Sequence, residues 1–255
     1  MEITIKELLE NGVYFGHPTK HFDPRIRPYL YGKRQGIYII DIEKTVEKAH
    51  EAFAFLKTIA SQKKLILFVG TKKQAHAAVQ EIAELCGSPY VNYRWIGGTL
   101  TNFSTIRKRI ARLEEIETME ETGRLSVFTK KEGIVILREK EKLIKKFGGI
   151  RTLTEFPAAI IVVDVRREHN TIAEAKKIGI PVVGIVDTNG NPQSVDYPVP
   201  ANDDGLKSIR LILSKLGEGI QEGRMAADYL PVPPQMIEQA VREQQAQKEK
   251  AKEQA

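Results

Sequence analysis

The sequence predicts an α/β fold in which a mainly parallel β-sheet carries helices on both faces. Strand-like apolar runs alternate with helical periods along most of the 255 residues, and this alternation is typical of parallel sheets. Two of the runs, "AIIVVD" and "PVVGIVD", are continuously apolar, as expected of strands that are buried on both sides. Each ends in an aspartate, at the sheet edge where open parallel sheets bind ligands.

The predicted elements follow one another as strand and helix. The strand-like runs are "GIYIID", "LILFVG", "AAIIVVD", "IPVVGIVD" and "DYPVP", and helical periods cover 44–60, 72–86, 168–178 and 204–220. A turn, and no helix, is expected after "IPVVGIVD". The order indicates one sheet built from successive strand–helix units.

A helical insertion interrupts this alternation. From about residue 102 to 147, apolar residues recur at helical spacing in two periods joined around "TGRLSVF". Each period has a single apolar stripe, so we expect two antiparallel helices that pack mainly on each other. The sequence therefore predicts a discontinuous α/β domain over 1–102 and 148–225, with a protruding helical hairpin over 103–147.

The remaining residues, 226–255, are predicted to form a flexible C-terminal tail. The segment "YLPVPPQ" is rich in proline, and the residues after it are mostly Gln, Lys, Glu and Ala with almost no apolar face. Such a composition cannot bury enough apolar surface to form a core.

Composition and charge indicate which kind of partner and which cellular compartment to expect. The net charge of +6 and the isoelectric point near 9.2 favour anionic partners, with nucleic acid first among them. The single cysteine, Cys86, is expected to be a buried thiol in a reducing compartment. The start "MEITIKELLENG" does not read as a signal peptide, and no stretch is apolar enough to cross a bilayer. We therefore expect a cytoplasmic protein without a membrane partner.

The segment "LILFVGTKKQ" predicts an anion site. A strand, Gly70 and a helix start carrying Lys72 and Lys73 would present unpaired N–H groups and positive charge to a ligand. The segment lacks the second and third glycines of the dinucleotide fingerprint, and no "GxxxxGK[ST]" loop occurs. We interpret the anion as RNA phosphate, or as solvent counterions, in preference to a nucleotide cofactor.

Two further segments combine basic and aromatic residues. "NYRWIGGTLTNFSTIRKRI" and "YFGHPTKHFDPRIRPYLYGKRQG" place arginines beside rings that could stack on exposed bases. The alternatives are a structural elbow with a solvated helix surface for the first, and an ordered loop with inward-facing aromatics for the second. The predicted RNA-binding residues are Arg25, Arg27, Lys33, Arg34, Lys72, Lys73, Arg94, Trp95, Thr101, Asn102, Arg107 and Lys108.

A third pattern predicts a metal site. Asp187 ends a strand, Asp204 lies in the turn before the last helix, and the loop carrying His17 could fold over the same edge. One imidazole and two carboxylates suit zinc or, with water completing the shell, magnesium. In the alternative, Asp204 caps the last helix, Asp187 holds the "DTNGNP" turn and His17 is an ordinary loop histidine.

Taken together, these segments resemble a known family. "GVYFGHPTKHFDPRIRPYLYGKRQGIYIIDIEKT", "ILFVGTKKQA", "NYRWIGGTLTNFSTI" and "IPVVGIVDTNGNPQSVDYPVPANDDGLKSIRLIL" are similar to the family of bacterial small-subunit ribosomal protein two. The resemblance runs from about residue 3 to 225. Tyr14 stands where many members have a histidine, and the tail shows no family pattern.

The resemblance implies a doubly wound, flavodoxin- or Rossmann-like domain with a coiled-coil hairpin. It also implies a structural ribonucleoprotein constituent of the small ribosomal subunit, lying in the cytoplasm between head and body. Its implied partners are small-subunit ribosomal RNA and other subunit proteins, including ribosomal protein one, whose docking assists messenger RNA capture in translation. No enzyme activity, required cofactor or homo-oligomer is implied.

The alternative is a nucleotide-binding enzyme on the same fold. Such an enzyme would need a nucleophile activated by a neighbouring base. The candidate side chains contain no such nucleophile–base pair. The candidates are Asp164, Asp187, Asp203, Asp204 and His17.

Overall fold

The structure is a computed structural model that describes residues 3–227. Within them the helices are α1 Ile5–Glu10, α2 Ile42–Ser61, α3 His76–Leu85, α4 Phe103–Glu121, α5 Lys130–Phe147, α6 His169–Ile178 and α7 Leu206–Ala226. The strands are β1 Phe15–Pro18, β2 Leu30–Arg34, β3 Ile37–Ile40, β4 Ile66–Val69, β5 Tyr90–Val91, β6 Ala159–Val163, β7 Val182–Val186 and β8 Tyr197–Pro200. The predicted tail, apart from its first two residues, lies outside this described range.

A five-stranded parallel sheet confirms the predicted α/β class. Its strands lie in the order β5-β4-β6-β7-β8, which is the flavodoxin-like doubly wound order when these strands are numbered along the chain. The two-residue strand β5 was not anticipated, because so short a run carries no periodic signal. The crevice where the chain reverses direction lies between β4 and β6.

Both faces of this sheet are covered, and alternate residues of each strand enter opposite halves of the core. Ile66 and Phe68 of β4 pack with α2, α3 and α7, whereas Leu67 and Val69 pack with α6 and the inserted helices. Each fully buried side chain of this size contributes about 1.5–3 kcal/mol. The burial on both faces explains why the central strands are apolar without interruption.

The N-terminal region departs from the prediction. The segment "GIYIID" was expected to continue the parallel sheet, but β3 instead pairs antiparallel with β1 and β2 in a separate three-stranded sheet. The reason is local, because Gln35 and Gly36 both have positive φ angles, 51° and 77°, as the tight turn of a hairpin requires. Antiparallel neighbours can be joined by two residues, whereas parallel ones need a long crossover.

Helices α4 and α5 pack against each other. Arg112 of α4 lies 3.5 Å from Glu139 of α5, and Glu117 forms an ion pair at 2.9 Å with Arg151 just beyond α5. The buried side chains of α4 and α5 belong to one apolar cluster that also contains residues of the sheet. These helix side chains are Ile106, Ile110, Leu113, Ile116, Leu143 and Phe147. The division into a sheet domain and a protruding coiled-coil hairpin stays a prediction.

None of the helices within residues 3–227 has both the length and the apolarity needed to cross a bilayer.

Candidate functional site at the carboxyl edge of the sheet

The carboxyl edge of the parallel sheet gathers a cluster of charged side chains. Because parallel strands end at one edge, the segments that follow them meet there. The segments after β4, β6, β7 and β8 supply one lysine and four aspartates, and β1 supplies a histidine. We call these six residues the edge cluster. Its members are His17, Lys72, Asp164, Asp187, Asp203 and Asp204.

Lys72 is the central cation of the edge cluster. Its Nζ lies 2.6 Å from Oδ1 of Asp203, 2.6 Å from Oδ1 of Asp204 and 3.4 Å from Oδ2 of Asp164. Burial lowers the pKa of Lys72, but the attraction of these carboxylates outweighs burial and raises it. The ammonium is therefore charged and engaged within the protein.

The aspartates are held close together by the backbone. Oδ2 of Asp187 accepts a hydrogen bond of 3.1 Å from the N–H of Asp203, and both residues are almost fully buried. Burial and the neighbouring Asp187 and Asp164 raise the pKa of Asp203 to about 7, although Lys72 acts in the opposite direction. The four carboxyl groups of the edge cluster surround one lysine, so the protonated form of the neighbouring His17 is also stabilised there.

His17 reaches this cluster because β1 lies against the loop that follows β7. The backbone N–H of His17 donates to Oγ1 of Thr188 at 2.8 Å, and a Cβ on Gly16 would lie 2.3 Å from Thr188 Cγ2. Only glycine permits this approach. The segment that was expected to reach the carboxyl edge as a loop does reach it, but as strand β1.

Both imidazole nitrogens of His17 face carboxylates. Nδ1 lies 3.0 Å from Oδ1 of Asp187, and Nε2 lies 3.1 Å from Oδ2 of Asp204. The Asp187 carboxylate raises the pKa of His17 against the opposing effect of burial. Nδ1 is buried, and its close contact with Asp187 is not aligned as a hydrogen bond.

These distances can be compared with the predicted ligand set. Ligand atoms of His17, Asp187 and Asp203 all lie within 4.8 Å of one another, whereas Asp204 meets the opposite nitrogen of the ring. Two ligands of one tetrahedral zinc ion stand about 3.4 Å apart, since each lies about 2.1 Å from the metal. The group that could hold a metal ion therefore contains Asp203 beside His17 and Asp187, with Asp204 on the outer side of the imidazole.

The alternative role predicted for Asp204 is not what the structure shows. Helix α7 has Gly205 at its N-cap position, without a side-chain cap. The carboxamide oxygen of Asn202 instead accepts from the N–H groups of Asp204 and Gly205, at 2.8 and 2.9 Å. Asp204 is thus directed to Lys72 and His17.

The crevice between β4 and β6 already contains an internal anion. The N–H of Thr71 donates to Oε1 of Glu168 at 2.9 Å, and Arg167 Nε donates to Oγ1 of Thr71 at 3.0 Å. A Cβ on Gly70 would lie 2.8 Å from Val79 Cγ2, so this glycine serves the close packing of α3. The N–H of Thr71, next to Gly70, was expected to donate to phosphate, but it donates to the Glu168 carboxylate.

A second internal carboxylate organises the tryptophan segment. Oε1 of Glu174, on α6, accepts from Trp95 Nε1 at 3.0 Å and from Gly98 N at 2.8 Å. Oε2 accepts from the N–H groups of Leu100 and Thr101, at 3.0 and 3.1 Å. We call the segment from Trp95 to Thr101, together with the Glu174 side chain that holds it, the Glu174 loop. Burial raises the pKa of Glu174, but these hydrogen bonds outweigh burial and lower it.

Asn102 follows the Glu174 loop at the start of α4. It occupies the N-cap position that was expected, but its side chain makes no capping bond to a helix N–H. Its Oδ1 accepts from the hydroxyl of Thr105 at 2.8 Å instead.

The predicted RNA-binding residues are distributed over several elements. Arg25 forms two hydrogen bonds with Asp23, and Arg107 donates to the carbonyl groups of Arg151 and Leu153. Trp95 and Thr101 belong to the Glu174 loop, and Lys72 to the edge cluster. Six of the predicted RNA-binding residues are exposed and form no ion pair within residues 3–227, namely Arg27, Lys33, Arg34, Lys73, Arg94 and Lys108.

Sequence reasoning missed Glu168 and Glu174. Each is a single glutamate near or on a short helix, where a solvated charge is the usual expectation. The only signal was the glycine pair after Trp95, which indicated close backbone approach without identifying the partner.

A comparison with protein families covers nearly all of the elements described above. The family model described as Ribosomal protein S2 matches residues 8–223. The match includes the edge cluster, the Glu174 loop and both inserted helices. This chain therefore belongs to the ribosomal protein S2 family, and it is a structural ribosomal protein of the small subunit that serves translation.

Proposed function

We propose that this chain binds small-subunit ribosomal RNA through exposed basic side chains. The supporting observation is that six of the predicted RNA-binding residues are exposed and have no ion pair among the described residues, and they are Arg27, Lys33, Arg34, Lys73, Arg94 and Lys108. A cation without a protein partner can exchange its solvent counterions for phosphate. Family membership makes ribosomal RNA the phosphate source.

The salt dependence of RNA affinity tests this proposal. We expect log K for a small-subunit RNA fragment to fall with log salt by about 0.7–0.9 for each phosphate neutralised. The double variant Lys33→Gln/Arg34→Gln should bind more weakly and with a shallower slope. A matched control, Lys63→Gln/Lys64→Gln, removes the same charge from the loop before β4, at the opposite edge of the sheet. Salt-independent affinity of the unaltered protein would contradict the proposal.

We further propose that the chain has no enzymatic function. The enzyme alternative requires a nucleotide at the crevice between β4 and β6, where the Glu168 carboxylate accepts from Thr71 N. A phosphate at that position would meet like charge and would lose this N–H. Nucleotide turnover by the purified protein, such as phosphate release from adenosine triphosphate, would support the enzyme instead.

Family membership alone supports a more specific role in the assembled subunit. We propose that the chain acts in the cytoplasm as a single copy in each subunit and helps to dock ribosomal protein one for messenger RNA capture. Small subunits reconstituted without this chain should bind ribosomal protein one more weakly than complete subunits. Light scattering should give a mass near 28.7 kDa for the purified chain, and a dimer mass would contradict the single-copy proposal.

A bound metal ion is a second proposal. Zinc or magnesium would be held by His17, Asp187 and Asp203, with Asp204 close by. The observation that favours it is the buried Nδ1 of His17, which has no aligned hydrogen bond although carboxylates surround it. Such an ion would supply positive charge and link β1 to the sheet edge, as structural metal sites do.

Elemental analysis tests the metal proposal. We expect zinc or magnesium near one ion per chain in the purified protein and strong depletion in His17→Ala. His21→Ala is the matched control, because His21 is an exposed histidine of the same N-terminal region. Negligible metal in the unaltered protein, or equal metal in both variants, would end the proposal.

A further inference from the structure

A cleft beside the edge cluster has no role in the functions proposed so far. Its volume is about 750 Å³, within the usual range for small-molecule sites of about 300–1,000 Å³. It opens between the segment after β1, the β6–α6 segment and the β7–β8 segment. None of the residues of the edge cluster lines it.

The charges around the cleft favour an anion. Lys20, Arg25 and Arg166 line it, against a single carboxylate, Asp23. Both oxygens of Asp23 accept from Arg25, at 2.9 and 2.7 Å, and these bonds lower the pKa of Asp23. Within residues 3–227 neither Lys20 nor Arg166 forms an ion pair, so their charges are available to a ligand.

Helix α6 starts at the rim of the cleft. It begins at His169, which lines the cleft, and its N-cap residue Glu168 makes no capping bond with its side chain. The Glu168 carboxylate is engaged by Thr71 on another element. The N-terminal end of α6 therefore lies beside the cleft, with the carboxylates of Glu168 and Asp164 engaged by Thr71 N and Arg167 N at the same end.

Two further residues make the cleft suitable for more than a simple anion. Asn189 lines it, and Oδ1 of this residue is buried without a hydrogen-bond donor in the described structure. Phe22 also lines it, and its half-buried ring is fixed by Tyr38 at a centroid distance of 4.6 Å. A matching ligand carries a negative group, a hydrogen-bond donor and a flat apolar ring.

We propose that this cleft binds one ribonucleotide unit. The phosphate is held by Arg166 and Lys20, the base packs on Phe22, and a hydroxyl or amino group donates to Oδ1 of Asn189. The inference rests on the proposed RNA-binding function and deepens it, because it names a place where an unstacked nucleotide of an RNA strand is bound. Recognition of single-stranded nucleotides on aromatic side chains is common in RNA-binding proteins. A free nucleotide offers the same chemistry.

Binding titrations on the full chain test this proposal. The probes are a fluorescent single-stranded oligoribonucleotide and adenosine monophosphate, and each is titrated at several salt concentrations. Arg166→Gln should weaken oligonucleotide binding and reduce the salt slope by about 0.7, the single-strand value for one phosphate. Phe22→Leu should weaken binding roughly tenfold while leaving the slope unchanged, since it removes stacking and no charge.

Two controls separate loss of the site from loss of structure or bulk charge. Lys177→Gln removes the same charge as Arg166→Gln, but from the last turn of α6, and should leave the affinity within about twofold, because one distant surface charge is largely screened. Thermal unfolding midpoints of the variants should match that of the unaltered protein. Photo-crosslinking of a 4-thiouridine oligonucleotide should label the peptide that contains Phe22.

The possible outcomes distinguish this inference from the function on which it rests. Steep, salt-dependent RNA binding that survives both cleft variants would overturn the inference and leave the proposed function standing. Absence of RNA and nucleotide binding in the unaltered protein would overturn both. Adenosine monophosphate binding as tightly as the oligonucleotide, and lost in the same variants, would support the site with a free nucleotide as its ligand.

Discussion

The Glu174 loop and the edge cluster both surround a carboxyl group with close polar neighbours, but the pKa values of Glu174 and Asp203 shift in opposite directions. Glu174 accepts hydrogen bonds from one indole and three backbone N–H groups, and its pKa is lowered. Asp203 lies beside Asp187 and Asp164 with one lysine to compensate them, and its pKa is raised to about 7. The difference lies in the surroundings, because the two side chains carry the same acidic group.

This contrast separates a structural carboxylate from one that awaits a ligand. The donors of the Glu174 loop belong to the protein and are complete, so the loop needs no further partner. In the edge cluster the carboxylates outnumber the permanent cations, and His17 Nδ1 has no aligned hydrogen bond. Perturbed groups of this kind concentrate at functional sites.

Removing the cation of the edge cluster should have the largest effect. In Lys72→Met, the carboxylates of Asp203 and Asp204 lose their closest positive charge, at 2.6 Å each. We expect the free energy of unfolding at pH 8, in the presence of a chelator, to fall by about 3 kcal/mol, because unpaired buried charge is costly. Urea denaturation measures this quantity.

Lys73→Met is the control for Lys72→Met. Lys73 is the next residue, is exposed and forms no ion pair among the described residues, so its replacement should change stability by less than about 0.5 kcal/mol. Added zinc or magnesium should restore part of the stability lost in Lys72→Met. Equal stability of the two variants would show that the edge cluster is not the charge-dependent site described here.

Removing the carboxylate of the Glu174 loop should have the next largest effect. Glu174→Ala leaves the Trp95 Nε1–H and the N–H groups of Gly98, Leu100 and Thr101 without their acceptor. We expect the free energy of unfolding to fall by about 2 kcal/mol, since unsatisfied donors lose the full value of their hydrogen bonds. Tryptophan fluorescence should follow the change, because Trp95 is the single tryptophan.

Two variants calibrate this result. Glu174→Gln keeps one acceptor oxygen and should cost about half as much as alanine. Glu114→Ala replaces an exposed glutamate on α4 that forms no ion pair in the described structure, and it should be nearly neutral. A loss in Glu114→Ala as large as that in Glu174→Ala would mean that the loop contributes no special stability.

The fold could be predicted from sequence where a pattern is long and regular. The runs of β6 and β7 are apolar throughout because both faces of the sheet are covered, and the helical periods of α6 and α7 are equally plain. The sheet of β3 was assigned wrongly, because its partner is decided by the turn at Gln35 and Gly36 and not by its apolar pattern.

The site could be predicted only in part. That Asp187 and the aspartates after β8 would meet follows from the parallel topology, which brings strand ends together. That Lys72 would be engaged by Asp203 could not be predicted, since the pair is separated by 131 positions along the chain. Glu174 lies 79 positions from Trp95, and no local pattern distinguishes it from a solvated glutamate.

The pH dependence of stability offers the smallest effect and the most specific test of the contrast. The pKa of Glu174 in the folded protein lies below its ordinary value of 4.5. Below pH 4.5 the unfolded chain therefore binds this proton more readily than the folded protein does, so folding stability falls as the pH falls. The contribution is complete above about pH 4.5 and is lost as the pH passes through the lowered pKa.

Glutamine cannot titrate, so the stability difference between the unaltered protein and Glu174→Gln should shrink over that acidic window and stay constant between pH 6 and 8. Denaturation of both proteins at matched pH measures the difference, and a gap that does not change with pH would show that Glu174 is not held as a charged acceptor.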